Sequence, residues 1–264
     1  MTLVTGASGF VGAKIMEMCE GVIAAPSLRG VSEDEVRRVV KESGCDVIIH
    51  TAAISDIGAC ERDPEGSYIA NVLLPIYLAR AASEEKIKLI CFSSDQVYSG
   101  HGEGGPFSEE MVKPSNLYSR HKLEMENRVL DICPDSVMLR AEWMYDYYLK
   151  KSNYFMNMIS ATGAVAYSSQ QFRGVTYVKE VCEQMENVCR LPGGTYNFGS
   201  ETKRSMREIT KEFLSKIGSD VSVLDAPARE NLWMDCSKAC AFGVEFSSVE
   251  MGLERCARDY GYLI

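Results

Sequence analysis

The strongest constraint on the fold is an alternation of apolar and helical segments through the first half of the chain. The apolar segments read TLVTG, GVIAA, CDVIIHTAA, KIKLICFSS and DSVMLRAEW, and helix-like patterns separate them. Strands that are apolar along their whole length are buried on both faces, as in parallel sheets covered by crossover helices. We therefore predict an α/β fold with a doubly wound parallel sheet of the Rossmann type.

The pattern loosens after about Trp143, where an aromatic-rich stretch leads into shorter elements. No internal repeat or low-complexity linker separates the two parts. We predict a dinucleotide-binding domain over residues 1–145, with part of 175–200 returning to it. Residues 146–264 are predicted to form mainly a smaller substrate-covering lobe, with a soft boundary between the two.

Helix ends can be predicted most clearly in SEDEVRRVVKESG. Ser32 is expected to cap the N-terminus, Glu35 to complete a reciprocal capping box, and Gly44 to end the helix. Two longer helices are predicted over DPEGSYIANVLLPIYLARAASEE and NLYSRHKLEMENRVLDIC.

The segment VTGASGFVG places three glycines, Gly6, Gly9 and Gly12, where the first strand meets the first helix. Glycines at this junction let the backbone turn tightly and approach a pyrophosphate, whose charge then lies at the helix N-terminus. The alternative is close packing of helix on strand without a ligand. Because the loop opens a βαβ series, the position favours dinucleotide binding.

The second strand indicates which dinucleotide is bound. Sites for NAD usually carry an acidic residue at the end of this strand, whereas VIAAPSLRG is followed by no acid before Glu33. Ser27 and Arg29 are suited to a 2′-phosphate, which predicts NADP in preference to NAD. The alternative that Arg29 is a solvated loop cation stays open.

Composition excludes several classes of function. The formal charge is −9 over 264 residues, which argues against general binding of nucleic acid or anionic membranes. No apolar run approaches the roughly 20 residues needed to span a bilayer, and the first residues do not resemble a signal peptide, so we expect a cytoplasmic protein. The ten cysteines include no C-x-x-C pair and are expected to be reduced thiols without a metal.

A tyrosine and a lysine four residues apart, Tyr118 and Lys122, share one face of a predicted helix. Reduction of a ketone requires a proton donor, and we expect the lysine ammonium to lower the tyrosine pKa from about 10 towards neutrality. Ser93 and Ser94 end the fourth apolar strand, where ligands bind in such sheets, and offer a hydroxyl to orient the carbonyl.

The chain resembles the extended short-chain dehydrogenase/reductase superfamily in TGASGFVG, DVIIHTAA, FSSDQVY and the Y-x-x-x-K of YSRHK. In more detail it resembles the dTDP-4-dehydrorhamnose reductase family and its relative, the methionine adenosyltransferase beta subunit. The further matches include DIGACERDPEGSYIAN, GPFSEEMVKPSNLYSRHKLEMEN, LRAEWMY, FRGVTYVKEV and MDCSKACAFGV. Together they extend over nearly the whole chain.

The resemblance implies roles for individual residues. It implies Ser94 as the substrate-orienting hydroxyl, Tyr118 as general acid and Lys122 as its partner. The expected cofactor contacts are Gly6, Ser8, Gly9, Phe10, Val11, Gly12, Thr51, Ala52, Ala53, Asn71, Tyr118 and Lys122, in addition to Ser27 and Arg29. The expected substrate contacts are Ser94, Asp95, Trp143 and Arg173, the last as a partner for a diphosphate.

The expected reaction is NADPH-dependent reduction of a 4-keto nucleotide-diphosphate deoxysugar, as in dTDP-L-rhamnose synthesis. Gln96 stands where related dehydratases carry a glutamate base, and an amide takes up no proton at useful pH. Epimerisation and a non-catalytic, NADP-binding regulatory subunit are the alternatives. Two departures from the family, GVTY for SPTY and Asp146 for a glycine, leave the sugar open.

The remaining expectations concern ligands and partners. Some family members are described with magnesium, but no compact carboxylate cluster in the sequence requires a metal, so we expect none. The expected partner is a nucleotide-sugar substrate, without nucleic acid or membrane. The oligomeric state is left open, including a homodimer.

Overall fold

The predicted parallel sheet is present in a computed structural model that describes residues 1–102, 104–147, 152–227 and 230–263. Six strands lie in the order β2-β1-β3-β4-β5-β9, and all neighbouring pairs are parallel. Their bounds are β1 Thr2–Thr5, β2 Val22–Ala24, β3 Val47–His50, β4 Lys88–Ser94, β5 Val137–Ala141 and β9 Gly194–Phe198. The prediction of a doubly wound α/β fold is thereby confirmed.

Helices cover both faces of this sheet. The helices are α1 Phe10–Met18, α2 Glu33–Ser43, α3 Ile57–Arg62, α4 Pro64–Tyr68, α5 Leu74–Glu85, α6 Leu117–Ile132, α7 Tyr154–Ile159, α8 Val178–Glu183, α9 Met185–Arg190, α10 Met206–Lys216, α11 Ser237–Cys240 and α12 Val249–Asp259. One apolar core lies between the sheet and α2, α5 and α6, and a second lies between the sheet and α1, α8 and α9. Both faces are therefore buried, as the apolar strands require.

Smaller elements form a third core beside the sheet. Two-stranded pairs join β6 Trp143–Tyr145 to β8 Val175–Tyr177 and β7 Ala164–Tyr167 to β10 Ser222–Asp225. Aromatic side chains from β6, β8 and α7 pack there against α10 and α12. Part of the predicted aromatic stretch, residues 148–151, lies outside the described residues, and the predicted domain limits stay predictions.

The predicted ends of α2 are largely present. The Ser32 hydroxyl accepts a hydrogen bond from the Glu35 amide at 3.3 Å, and Gly44 ends the helix with φ +58°. The reciprocal half of the predicted capping box is wrong, because the Glu35 carboxylate accepts a hydrogen bond from Arg38 at 3.2 Å instead. The charged neighbour one turn on is a stronger donor than the Ser32 amide.

The long helix predicted from Asp63 to Glu85 is interrupted. Residues Ile69–Leu73 form a π-helical turn between α4 and α5. Such turns are rare and are found mainly near functional sites. Among the described residues, no helix combines the length and apolarity that crossing a membrane would require.

Candidate active site

The site is built along the edge of the sheet where the parallel strands end. A cavity of about 1420 Å³ opens there, which exceeds the roughly 300–1,000 Å³ of pockets that hold one small ligand. Its walls come from the loops after β1, β2 and β3, the ends of β4 and β5, and one face of α6. The cavity is therefore large enough for a dinucleotide together with a second ligand.

The glycine loop forms one end of this cavity, and two of its glycines leave no room for a side chain. A Cβ atom at Gly12 would lie 2.2 Å from the Gly6 carbonyl oxygen, and one at Gly6 would lie 2.7 Å from the Ala52 nitrogen. Gly6 also has φ +72°, a conformation that favours glycine. Helix α1 starts directly after Gly9 with no acidic residue in its first turn, so its N-terminus suits a phosphate.

Most of the predicted cofactor residues line the cavity. These are Gly6, Ser8, Gly9, Phe10, Val11, Ser27, Arg29, Thr51, Ala52, Ala53, Tyr118 and Lys122. Gly12 and Asn71 do not line it. Gly12 instead allows α1 to pack against the glycine loop, and its contact with a cofactor stays a prediction.

Asn71 lies behind the cavity wall, in the π-helical turn. Its side chain is fully buried, accepts a hydrogen bond from the Ile54 amide at 3.0 Å and donates to the Ile54 carbonyl at 2.9 Å. Both ends of the amide thus hold the loop that follows β3, and the cofactor contact of Asn71 stays a prediction. Ile54 itself lines the cavity.

Ser94, Tyr118 and Lys122 all line the cavity. Asn116 caps α6 and forms a capping box with Ser119, which fixes the start of the helix that carries Tyr118 and Lys122. The Lys122 Nζ atom lies 6.0 Å from the centroid of the Tyr118 ring and donates a hydrogen bond to the Phe92 carbonyl at 2.7 Å. Ser94 is the last residue of β4, and its hydroxyl accepts a hydrogen bond from the Gln96 amide.

A buried network holds α6 against the sheet. The Glu126 carboxylate, one turn after Lys122, accepts hydrogen bonds from the Ser93 hydroxyl at 2.5 Å and from Arg140 on β5. Arg140 also donates to the Tyr98 hydroxyl at 2.8 Å. Since Ser93 neighbours Ser94, the same network fixes the distance between the serine and the tyrosine helix.

The expectation that Lys122 lowers the tyrosine pKa is wrong. Burial raises the pKa of Tyr118 well above its usual value, and a hydrogen bond with Ser94 offsets only part of this effect. The cause is desolvation, which disfavours phenolate in a site only 6% exposed. Tyr118 is therefore fully protonated at neutral pH, the state required of a proton donor.

The same burial acts on Lys122 in the opposite sense. It lowers the pKa of Lys122 to about 8, because the ammonium is removed from water and no carboxylate among the described residues lies within ion-pair distance. His50, at the end of β3, is neutral since burial lowers its pKa to about 3. Lys122 is thus mostly charged at pH 7 but loses its proton far more readily than an exposed lysine.

The predicted substrate residues do not all line the cavity. Asp95 and Trp143 line the cavity, and Trp143 is 45% exposed. Arg173 lies beneath them: its guanidinium donates to Asp95 at 2.5 Å and is 3.8 Å from the centroid of the Trp143 ring. Arg173 is only 2% exposed and is paired with Asp95, and its contact with a diphosphate stays a prediction.

Glu142 is among the cavity residues that the sequence did not predict. Glu142 directly follows β5 and lines the cavity next to Trp143, although it is only 7% exposed. The Thr176 hydroxyl donates a hydrogen bond to its carboxyl group at 2.5 Å. The available signal was a carboxylic acid placed directly after an apolar strand, at the edge where ligands bind in such folds.

The family model and the similar proteins agree on one family. The family model described as RmlD substrate binding domain matches residues 1–234. A probable low-salt glycan biosynthesis reductase, Agl14 of Haloferax volcanii, is 25% identical over 94% of this chain and 90% of its own length. A dTDP-4-dehydrorhamnose reductase of Mycolicibacterium smegmatis is 32% identical over 54% of this chain and 45% of its own length.

Solved structures share the fold. The crystal structure of dTDP-4-dehydrorhamnose reductase from Bacillus anthracis, in complex with NADP, superposes with a TM-score of 0.85 at 23% identity. The match covers 98% of each chain. Within the described parts of the present chain, no group of three or more His, Cys, Asp or Glu side chains is arranged to hold a metal ion.

Proposed function

Since the chain belongs to the RmlD substrate-binding domain family of extended short-chain dehydrogenase/reductases, which are NAD(P)-dependent oxidoreductases, we propose that it reduces a 4-keto nucleotide-diphosphate deoxysugar with NADPH. A dTDP-4-dehydrorhamnose-like sugar is the proposed substrate. The relatives named as dTDP-4-dehydrorhamnose reductases and as a glycan biosynthesis reductase support a sugar-nucleotide substrate.

The observation that carries the proposal is the meeting of Ser94, Tyr118 and Lys122 in the same cavity as the glycine loop. An acid, a cation and an orienting hydroxyl are the groups that ketone reduction needs from a protein. Because a loop suited to pyrophosphate lines the same cavity, we propose that a bound dinucleotide lies within reach of them. A protein that only bound the dinucleotide would have no use for a buried acid there.

The residues of the glycine loop and of the β3 end are proposed to hold NADPH. Bound NADPH supplies the hydride. The NADP complex of the Bacillus anthracis relative supports this choice, and Ser27 and Arg29 line the cavity without a nearby acid on β2. Thr51, whose hydroxyl donates to the Thr5 carbonyl at 2.8 Å, ties the end of β3 to the start of the glycine loop.

Each of the three central side chains is proposed to have a separate task. Ser94 positions the ketone oxygen by a hydrogen bond. Tyr118 donates its phenolic proton to that oxygen as negative charge develops on it. Lys122 stabilises the phenolate that forms, an interaction that is strong because the site is removed from water.

The proposal is tested by measuring the loss of NADPH absorbance with a panel of 4-keto-deoxysugar nucleotides that includes dTDP-4-dehydrorhamnose. We expect turnover with at least one member and formation of one reduced sugar per NADPH oxidised. Absence of NADPH oxidation with every member, together with co-purification of a larger catalytic protein, would instead support the regulatory alternative. Sugar isomerisation without net NADPH oxidation would support the epimerase.

The choice between the two dinucleotides is predicted to depend on Arg29. Replacing Arg29 with alanine is expected to weaken NADPH binding by roughly 10-fold, because a charge-assisted hydrogen bond to a phosphate contributes about 1.5–3 kcal/mol and Arg29 is exposed. NADH binding should change less than about 2-fold. Titration of cofactor fluorescence measures both, and Arg38→Ala on the exposed face of α2 is the matched control. Equal loss for both cofactors would contradict a 2′-phosphate contact.

A further inference from the structure

Trp143 and Arg173 are brought together by the two-stranded sheet beside the cavity. Trp143 opens β6 and is the register partner of Val175 in β8. Residues two positions apart in extended backbone point to the same side, so Arg173 shares a side with Val175 and hence with Trp143. The backbone of Arg173 is held in turn by a bridge to Leu232. The pairing of the two strands therefore brings the arginine side chain to the tryptophan ring.

The Arg173 guanidinium covers one face of the Trp143 ring. Its central carbon lies 3.8 Å from the ring centroid, which is closer than an approach to the ring edge permits, so the guanidinium stacks on the face. Trp143 lines the cavity and is 45% exposed, whereas Arg173 is buried and does not line it. The indole is thus backed by a buried cation, and the exposed part of the residue lies at the cavity wall.

Asp95 fixes the guanidinium in this position. Its Oδ2 atom accepts a hydrogen bond from Arg173 Nη2 at 2.5 Å, and both side chains are buried. Its other oxygen, Oδ1, accepts a hydrogen bond from the Ser94 hydroxyl at 3.2 Å. Removal of one partner from a buried ion pair leaves an unpaired charge that is costly to keep buried. The carboxylate is therefore shared between Arg173 and the serine proposed to orient the ketone.

The orientation of the guanidinium favours the ring over complete hydrogen bonding. Among the described residues, the buried Arg173 Nε atom has no hydrogen-bond partner. Buried donors are nearly always paired in folded proteins, so an arginine that served only to neutralise Asp95 would be expected to use this donor as well. Arg173 instead contacts one cavity residue, Trp143, directly and reaches another, Ser94, through Asp95.

We propose that Arg173 is a positioning residue for the substrate end of the cavity. It holds the Trp143 ring at the cavity wall by stacking on it, and it holds the Asp95 carboxylate where that group orients the Ser94 hydroxyl. The inference rests on the proposed function and adds a residue whose effect passes through Trp143 and Asp95. Trp143 is expected to affect substrate binding and Ser94 the chemical step, so the two contacts of Arg173 have separate kinetic effects.

The contact with Trp143 is tested by the mobility of its ring, which requires no substrate. In a Trp233→Phe background, Trp143 is the remaining tryptophan, so time-resolved fluorescence anisotropy reports on that ring alone. With arginine at position 173, we expect the decay to follow overall tumbling. Arg173→Lys keeps a cation for Asp95 but has no planar group to stack, so it should add a fast component on the nanosecond or shorter timescale. An indole that stays rigid in Arg173→Lys would overturn the proposal.

Steady-state kinetics separate the two contacts. Arg173→Lys should raise KM for the sugar nucleotide by roughly 3- to 10-fold, because a mobile ring must be immobilised on binding, and should lower kcat by less than about 3-fold. Arg173→Met also removes the partner of Asp95, so kcat should fall by a further 10- to 100-fold or so, roughly the cost of misplacing a reacting group. An unchanged KM in both variants, or an equal loss of kcat in both, would overturn the proposal.

A control and a second readout keep the test decisive. Arg255→Lys is the matched control, because Arg255 is also paired with a carboxylate, that of Glu183, but does not line the cavity. It should leave the anisotropy of Trp143 and the KM unchanged. If Arg173→Met does not fold, Arg173→Lys decides the proposal through ring mobility and KM. If wild type reduces no sugar nucleotide, the proposed function fails, and the anisotropy still decides whether Arg173 holds the ring.

Discussion

Replacing Tyr118 with phenylalanine is expected to lower kcat by roughly 10³-fold, within the 10²–10⁴ range of general acid catalysis. The ring is 6% exposed and is held by α6, so the phenylalanine ring occupies the same space and the loss is confined to one hydroxyl. NADPH binding, measured by cofactor fluorescence, should change by less than about 3-fold. A variant that kept its turnover would show that another group supplies the proton.

A matched control is available in the third core. The Tyr154 hydroxyl is hydrogen-bonded to Thr210 at 2.7 Å, and Tyr154 is 4% exposed and does not line the cavity. Tyr154→Phe should lower the free energy of unfolding by about 1 kcal/mol and leave kcat unchanged. If both variants lost activity in proportion to their stability, the effect at Tyr118 would be structural rather than chemical.

Replacing Lys122 with methionine is expected to lower kcat by roughly 10²–10³-fold, because the phenolate formed at Tyr118 loses the cation that stabilises it. The methionine side chain is similar in length and keeps the packing of α6. Steady-state kinetics at pH 7 with saturating NADPH measures the effect. An increase in KM alone, with kcat unchanged, would assign Lys122 to binding rather than to stabilisation of the developing charge.

The same substitution is expected to stabilise the ligand-free protein. The folded-state pKa of Lys122 is about 8, below the 10.5 of an exposed lysine, so the unfolded chain binds the proton more tightly than the folded one. The resulting destabilisation is complete below pH 8 and fades as the pH rises from about 8 towards 10.5. A shift of this size corresponds to about 3 kcal/mol, from which the lost bond to the Phe92 carbonyl subtracts about 1.

Urea unfolding at several pH values measures the effect of Lys122 on the free energy of unfolding. Lys122→Met should exceed wild type by about 1–3 kcal/mol at pH 7, and the difference should shrink between pH 8 and 10.5. Lys211→Met, at an exposed position of α10, is the control and should show no such dependence. Suppose Lys122→Met were less stable than wild type by an amount that did not change with pH. That result would contradict the claim that the buried Lys122 ammonium destabilises the fold.

The sheet and the main helices could be predicted from the sequence because their determinants are local. Apolar runs fix the strands, and Ser32, Gly44 and Asn116 fix helix ends through hydrogen bonds to residues no more than four positions away. The π-helical turn was missed, and Asn71 within it is bonded to Ile54, 17 residues earlier. No periodicity in the helix itself indicates that contact.

The residues of the central site could be predicted because serine, tyrosine and lysine each have a known role in ketone reduction. Ser94, Tyr118 and Lys122 were predicted together, but the raised pKa of Tyr118 depends on burial, which only the assembled fold provides. The pairing of Arg173 with Asp95 joins residues 78 positions apart. The buried position of Glu142 was missed for the same reason, because it depends on Thr176, Gly174 and Gly199, which are distant in the sequence.

The central claim is that this chain transfers a hydride from NADPH to the ketone carbon of a nucleotide-linked sugar. The most direct test uses NADPH carrying deuterium on the transferred side of nicotinamide C4, with dTDP-4-dehydrorhamnose and purified protein, followed by mass spectrometry and NMR of the sugar. The account predicts one deuterium at C4 of the sugar for each NADP⁺ formed, and almost none with Tyr118→Phe. A sugar product without deuterium at that carbon, or deuterium retained in the cofactor, would contradict it.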